Sequence, residues 1–294
     1  MSQAQGVPLP RPVETAGPSR GGALARRLLS TLILLPLFVW MVVGGPVWMF
    51  GATMVLAGAL GQWEFTGIFE RAGIRSFRRL GLVGGSVLTA SFALPGSERA
   101  TFTAVTFTAV LLVMLAVGLL RRESGRAAWE PVAVTLLGVG YVNWLLGYTF
   151  WLRDLDAGRK WILLLVSVTW LGETAAYVIG STLGRHNLAP AISPRKTVEG
   201  AVAQLVASVL AALGARAWFF PALSAESAIV VGLLLGVVGQ VGDLIESAIK
   251  RSVGTKDTGR LIPGHGGMLD RMDSLLVNTP VLFYYATYAR SLGT

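Results

Sequence analysis

The sequence predicts an all-α, polytopic integral membrane protein with about nine transmembrane helices. Three observations lead there. Only 14% of the 294 residues are charged while 53% are hydrophobic, against roughly 25% charged in ordinary soluble chains. Apolar runs long enough to cross a bilayer recur along the whole chain. The basic residues alternate between heavily and lightly charged segments, as they do where a chain weaves through a membrane. The chain has no cysteine, which excludes disulfides, thiolate metal sites and cysteine nucleophiles. Its two histidines leave little for a histidine-built metal centre.

In chain order, residues 1–22 are rich in Pro, Gly and Gln and read as a disordered cytoplasmic tail. Arg26 and Arg27 then precede the apolar run Leu28–Val43. No small-residue cleavage site follows it, so the run reads as a first span and not as a cleaved signal. Further spans are expected at 46–66, 80–95, 101–120, 131–152, 161–183, 199–220, 226–246 and 275–289. The segment at 80–95 is short for the ~20 residues a span needs, and Pro95-Gly96 beside it would also suit a re-entrant hairpin. Residues 23–155 form an N-terminal transmembrane region. Residues 156–294 form a C-terminal catalytic region with cytoplasmic loops.

With the N-terminus inside, nine spans place 19 of the 25 Lys and Arg on the cytoplasmic side, clustered at 11–27, 71–79, 121–126, 185–196 and 250–271. Arg99, Arg153, Arg159, Lys160, Arg216 and Arg290 fall outside. This asymmetry accounts for most of the net charge of +9 without nucleic acid as a partner. Trp40, Trp48, Trp63, Trp129, Trp144, Trp151, Trp161 and Trp218 lie mostly near the expected helix ends and read as an interfacial belt.

Acidic residues inside spans are costly and mark functional candidates. Glu64, Glu173, Asp243 and Glu246 qualify. Asp243, Glu246 and Lys250 stand at i, i+3 and i+7 and share one helical face, which alone could be a structural ion-pair stripe. It runs, however, into the loop 247–273. Lys250, Arg251, Lys256, Arg260 and Arg271 suit polyphosphate oxygens. Gly254, Gly259, Gly264, Gly266 and Gly267 let backbone N–H groups approach an anion. Asp270 and Asp273 offer hard oxygens to Mg2+. Together these are what a metal–nucleotide complex requires. A second inside loop, 184–200, is stiffened by Pro190 and Pro194, and Arg195-Lys196-Thr197 supplies donors just before a helix N-terminus, itself an anion site.

The stretch Ser247–Asp273 resembles the C-terminal signature of phosphatidate cytidylyltransferases (CDP-diacylglycerol synthases). It has Ser247, then Lys250-Arg251, Lys256-Asp257, His265-Gly266-Gly267 and Asp270-Arg271-Met272-Asp273. The stretch Gly180–Gly200, with Ser193-Pro194 and Lys196-Thr197, is similar to the same family. The likeness covers residues 170–290, and the first 150 residues resemble the family only in hydropathy. One departure is Glu173-Thr174-Ala175-Ala176-Tyr177, where the family usually has Asp-Thr or Asp-Ser before Gly-Ala-Tyr.

The resemblance implies the reaction CTP + phosphatidate → CDP-diacylglycerol + pyrophosphate, with Mg2+. It also implies a helical fold among membrane lipids, a homodimer, and a site facing the cytoplasm, in a bacterial cytoplasmic membrane. By resemblance, Asp243 and Asp270 would be metal ligands and Asp273 a further ligand or a supporting group, with Glu173 beside them. Lys250, Arg251, Lys256 and Arg271 would hold phosphates. Ser193, Arg195 and Lys196 would bind the lipid phosphate or CTP. Ser247, Asp257, Gly266 and Gly267 complete the substrate-binding set. His265 would either contact substrate or hold the glycine-rich turn. The rival readings are a cytidylyltransferase for another lipid phosphate, a CDP-alcohol phosphatidyltransferase, and a transporter. The second lacks its opening Asp-Gly-x-x-Ala-Arg here. The third would explain intramembrane carboxylates but not the loop 247–273.

Overall fold

A computed structural model describes residues 35–121, 125–259 and 266–291. The expected tail and the start of the first expected span lie outside these residues. Helix α1 is described over 35–43. It is followed by α2 (Val47–Arg71), α3 (Arg78–Ser91), α4 (Arg99–Leu119) and α5 (Arg126–Gly138). A π-helical turn, Val139–Trp144, joins α5 to α6 (Leu145–Asp154). Then come α7 (Gly158–Leu183), a hairpin of β1 (Asn187–Ala189) and β2 (Ser193–Thr197), α8 (Val198–Trp218), α9 (Ala225–Ser252) and α10 (Leu269–Ser291). The strands pair antiparallel with Asn187 opposite Thr197 and Ala189 opposite Ser193. Apart from this hairpin the described fold is all-helical, as expected.

Among the described residues, five rods are long and apolar enough to cross a membrane: α4, the continuous Arg126–Asp154 rod, α7, α8 and α9. The other helices differ for visible reasons. Helix α3 has 14 residues and so rises about 21 Å, short of a ~30 Å hydrocarbon core. Helix α2 carries Gln62, Glu64, Glu70 and Arg71. Helix α10 opens on Asp270, Arg271 and Asp273 and contains Pro280.

Two packing devices position the site. The first is a face of small residues on α9. A Cβ on Gly232 would lie 2.5 Å from Val209 Cα and 2.9 Å from Ser208 O, both on α8. Gly236 meets Ser208 and Leu205, and Gly242 lies against Asp273 O and Ser274 Cα of α10. The α9 backbone therefore approaches α8 and α10 far more closely than larger side chains would allow. The second device is an aromatic core in the N-terminal half. Phe92 packs against Trp144, Tyr148 and Trp151, and Tyr148 and Trp151 both reach Phe283 of α10.

That core corrects the reading of the tryptophans. Trp151 and Trp161 are buried, and Trp161 packs edge-on against Phe220. Trp40, Trp48, Trp63, Trp129 and Trp218 are exposed, consistent with a belt. A sequence places a Trp near a helix end but does not say whether the ring turns inward.

Gly232→Ala should destabilise the fold by about 1–3 kcal/mol, since the clash is with backbone that cannot rotate away. Gly214→Ala, on α8 and with nothing within 4 Å, should be neutral or slightly stabilising because alanine favours helix. Thermal unfolding of both variants in detergent checks this, and equal midpoints would count against the close α8–α9 contact.

Candidate functional site

The carboxylates of Asp243, Glu246 and Asp273 lie within 4.8 Å of one another. Asp243 and Glu246 come from the last turns of α9, and Asp273 from the second turn of α10, across the contact that Gly242 permits. Such a cluster repels itself, and two lysines answer the repulsion. Lys196 Nζ pairs with Asp243 Oδ2 at 2.8 Å, and so ties strand β2 to α9. Lys250 Nζ pairs with Glu246 at 2.5 Å and with Asp270 at 2.9 Å. Glu246 is 1% exposed, and its second oxygen, Oε1, is buried without a protein hydrogen-bond partner. The three carboxylates thus form an oxygen-rich pocket that could hold a divalent cation, hard oxygen being what Mg2+ prefers.

Asp270 stands beside this cluster and is held differently. Besides Lys250, its oxygens accept N–H bonds from Gly267 at 2.9 Å and from Thr258 at 3.1 Å. Burial works against its charge, but the bonds from Lys250 and Gly267 outweigh burial and hold its carboxyl below the usual range. Asp270 precedes the span expected at 275–289. Gly266 adopts φ +82°, a left-handed turn that aims the following N–H at Asp270.

A cavity of about 450 Å3 adjoins the cluster. Small apolar residues line part of it, Ala176, Gly180, Gly200 and Ala201 from α7 and α8. Arg195, Lys196, Glu173 and Asp243 line it as well. Local folding explains the cations. Thr197 caps α8 by accepting from Gly200 N at 3.1 Å. Glu199 reaches back to Arg185 N, His186 N and the His186 ring. The hairpin is thereby pinned, and β2 delivers Arg195 and Lys196 at the cavity rim.

The expected residues therefore fall in three groups. Asp243, Asp273, Lys196, Arg195 and Glu173 gather around the cavity and cluster, and Glu173 lies within electrostatic reach of Asp243, Arg271 and Lys196. Asp270, Gly266, Gly267 and Lys250 form the adjoining network. Ser247 donates weakly to Asp243 at 3.5 Å, and Ser193 opens β2 half-buried. Lys256, Asp257 and Arg271 are exposed. Arg251 donates to Ile192 O and Thr255 O, linking the two loops. His265 and Arg260 lie outside the described residues.

Four participants escaped the sequence pattern. Glu246 was visible as an intramembrane acid, but nothing marked it as closer to Asp243 and Asp273 than Asp270. Gln204 and Gln240 line the cavity, and only their polarity inside apolar helices could have flagged them. Tyr141, in the π-helical turn, lies within electrostatic reach of Glu246, Asp273 and Asp243, although it is more than 100 residues away in sequence.

Fold and site together define a helical membrane protein in which a carboxylate cluster and its paired lysines adjoin one cavity. The chain belongs to the cytidylyltransferase family, whose model matches residues 25–289. It is similar to the phosphatidate cytidylyltransferase of Staphylococcus epidermidis, 36% identical over 160 residues that are 54% of this chain and 61% of that protein. The Staphylococcus aureus phosphatidate cytidylyltransferase is 38% identical over 162 residues, again 54% and 61%. The chain thus spans about three fifths of the length of the curated relatives it matches.

Lys250→Met tests the network directly. It strands the buried carboxylates of Glu246 and Asp270 without their cation, which should cost about 3–5 kcal/mol. Denaturant or thermal unfolding reads this, and a midpoint equal to wild type would mean that Lys250 is not the bridge between α9 and α10.

Proposed function

We propose that this chain is a phosphatidate cytidylyltransferase. A phosphate oxygen of phosphatidate attacks the α-phosphorus of CTP, the bond from that phosphorus to the β-phosphate oxygen breaks, and CDP-diacylglycerol and pyrophosphate leave. The observation that carries this reading is a cavity lined both by small apolar residues and by Arg195, Lys196, Glu173 and Asp243. A lipid phosphate joins the same two chemistries, acyl chains and an anion. The relatives' names and the family membership support the same reading.

The nucleophile belongs to the substrate, so the chain needs no nucleophile or triad of its own. Its problem is bringing one polyanion to another and aligning them. Arg195 and Lys196 hold the lipid phosphate at the rim, and Asp243 fixes the Lys196 ammonium there. Exposed Lys256 and Arg271 meet the nucleotide phosphates from the loop. Lys250 stays buried and spaces α9 from α10. Asp243, Glu246 and Asp273 fit Mg2+ by donor type, by mutual distance and by the unpartnered Glu246 Oε1. When bound, the cation supplies charge neutralisation at the transferring phosphoryl group. Asp270 orients Lys250 and the loop beside this set.

The same proposal includes nine spans with the N-terminus and both loops on the cytoplasmic face. The membrane setting is supported by α4, which buries only Thr103, Met114 and Gly118, and by exposed Val202, Val206 and Leu210 along one face of α8.

Labelled CTP, phosphatidate and Mg2+ with the purified protein should yield labelled CDP-diacylglycerol. Failure with phosphatidate alongside turnover of another lipid phosphate would replace the substrate. Asp243→Asn and Asp270→Asn should each abolish most activity, with strongly non-additive effects, since groups acting as a unit fail together. A Mg2+ titration with a thermal-stability control reads this. Near-normal turnover by either variant at limiting Mg2+ would remove that carboxylate from the machinery. Glu173→Gln should also impair turnover while Glu173→Asp retains most of it, and a fully active Gln variant would make this carboxylate incidental.

A further inference from the structure

Helix α2 belongs to the N-terminal half, yet two of its side chains enter the loop that carries Asp270. Glu64 is buried, and its Oε2 accepts the Leu269 N–H at 2.9 Å and the Thr258 hydroxyl at 3.4 Å. Arg71, seven residues on, donates to Thr258 O at 2.8 Å. Thr258 is itself fully buried, and its N–H goes to Asp270. Its hydroxyl, carbonyl and amide are therefore held by Glu64, Arg71 and Asp270 in turn. Leu269 begins α10, so its N–H is one of the donors a helix start leaves without an internal partner. A carboxylate is a favourable acceptor there.

The glycines record the same arrangement. A Cβ on Gly267 would lie 2.5 Å from Glu64 Oε2, and one on Gly259 2.4 Å from Glu64 Oε1. At Gly259 the three nearest atoms all belong to Glu64. The two glycines flank the carboxylate and leave it just enough room.

We infer that Glu64 is a positioning residue of the site. Its carboxylate, seated between Gly259 and Gly267, fixes the start of α10 and so sets where Asp270 and Asp273 stand relative to Asp243 and Glu246. The N-terminal half thereby completes the geometry of a site whose chemistry lies in the C-terminal half. The catalytic side of this inference rests on the proposed function, while its structural side does not.

The experiment compares Glu64→Gln, Glu64→Asp and Glu64→Ala with Gly259→Ala in the full chain in detergent. In Glu64→Gln, hydrogen exchange at the Thr258 and Leu269 amides should accelerate by about tenfold or more, the size expected for losing a charged hydrogen bond. The Mg2+ concentration for half-maximal CDP-diacylglycerol formation should rise, and Glu64→Asp should recover part of the loss. Gly259→Ala should impair the wild-type background strongly and the Glu64→Ala background little, because the three nearest atoms to the new Cβ belong to Glu64 and leave with it. Wild-type exchange at both amides, or strictly additive effects of Glu64→Ala and Gly259→Ala on stability, would overturn the inference. So would a variant that merely loses stability while keeping the wild-type Mg2+ dependence. Should the wild-type protein form no CDP-diacylglycerol, the proposed function falls, and the exchange and stability arms still decide the role of Glu64.

Discussion

Carboxylates held within 4.8 Å of one another repel by about 3 kcal/mol per pair at an effective dielectric of about 20. The rest of the site is arranged around that repulsion. Lys196 and Lys250 reduce it from opposite sides, and each does so by linking two elements: β2 to α9, and α9 to α10. Because both lysines are paired with carboxylates, the α8–α9–α10 assembly is held by charge at the end that carries the loops and by glycine packing further along the helices. A buried ion pair stabilises little relative to apolar packing but is costly to break from one side. Its contribution here is to fix the relative height of α9 and α10, which decides whether Asp273 meets Asp243 and Glu246 at all.

Much of the architecture was legible because it rests on local signals. Helices occur where apolar runs were read, and the end of α9 carries the acidic stripe at i, i+3 and i+7. Thr197 and Ser224 cap α8 and α9 as short hydroxyl residues do. Among the described residues five helices have the length and apolarity of a span, against nine expected, for the same reason: length and charge content are local, α2, α3 and α10 fall short on them while still packing in the bundle, and the start of the first expected span lies outside the described residues. Non-local pairings could not be read. Asp270 was expected to face Asp243, but the left-handed Gly266 and the amides of Gly267 and Thr258 turn it toward Lys250. The hairpin at 187–197 depends on Glu199 folding back onto residues 185 and 186, a contact no periodicity encodes.

The N-terminal half gave the least information in sequence and contributes more than hydropathy suggested. The π-helical turn at Val139–Trp144 inserts extra backbone into an otherwise continuous rod, a feature that re-aims side chains and often marks functional sites. Here it places Tyr141 toward the carboxylate cluster and Asn143 against Thr89 of α3. Gly85 makes room for Asn143, since a Cβ there would fall 2.3 Å from Asn143 Oδ1. Buried polar contacts of this kind give a bundle register in an apolar setting, where uniform hydrophobic packing would permit sliding.

Glycines beside cations invite one interpretation, backbone amides opened toward a bound phosphate. The described glycines of this loop divide otherwise. Gly254 and Gly266 supply positive φ. Gly259 and Gly267 are small because Glu64 occupies the space beside them. The one glycine amide with a carboxylate at 2.9 Å, that of Gly267, faces Asp270. The anions these glycines accommodate are therefore the protein's own. In the proposed reaction, holding an external polyanion falls to side chains, Arg195 and Lys196 at the cavity, Lys256 on the loop and Arg271 at the start of α10, while the glycines let the loop pack closely around Glu64 and Asp270. The contacts that are hardest to break are thus made within the protein, and the exposed cations are left to take up and give up a ligand.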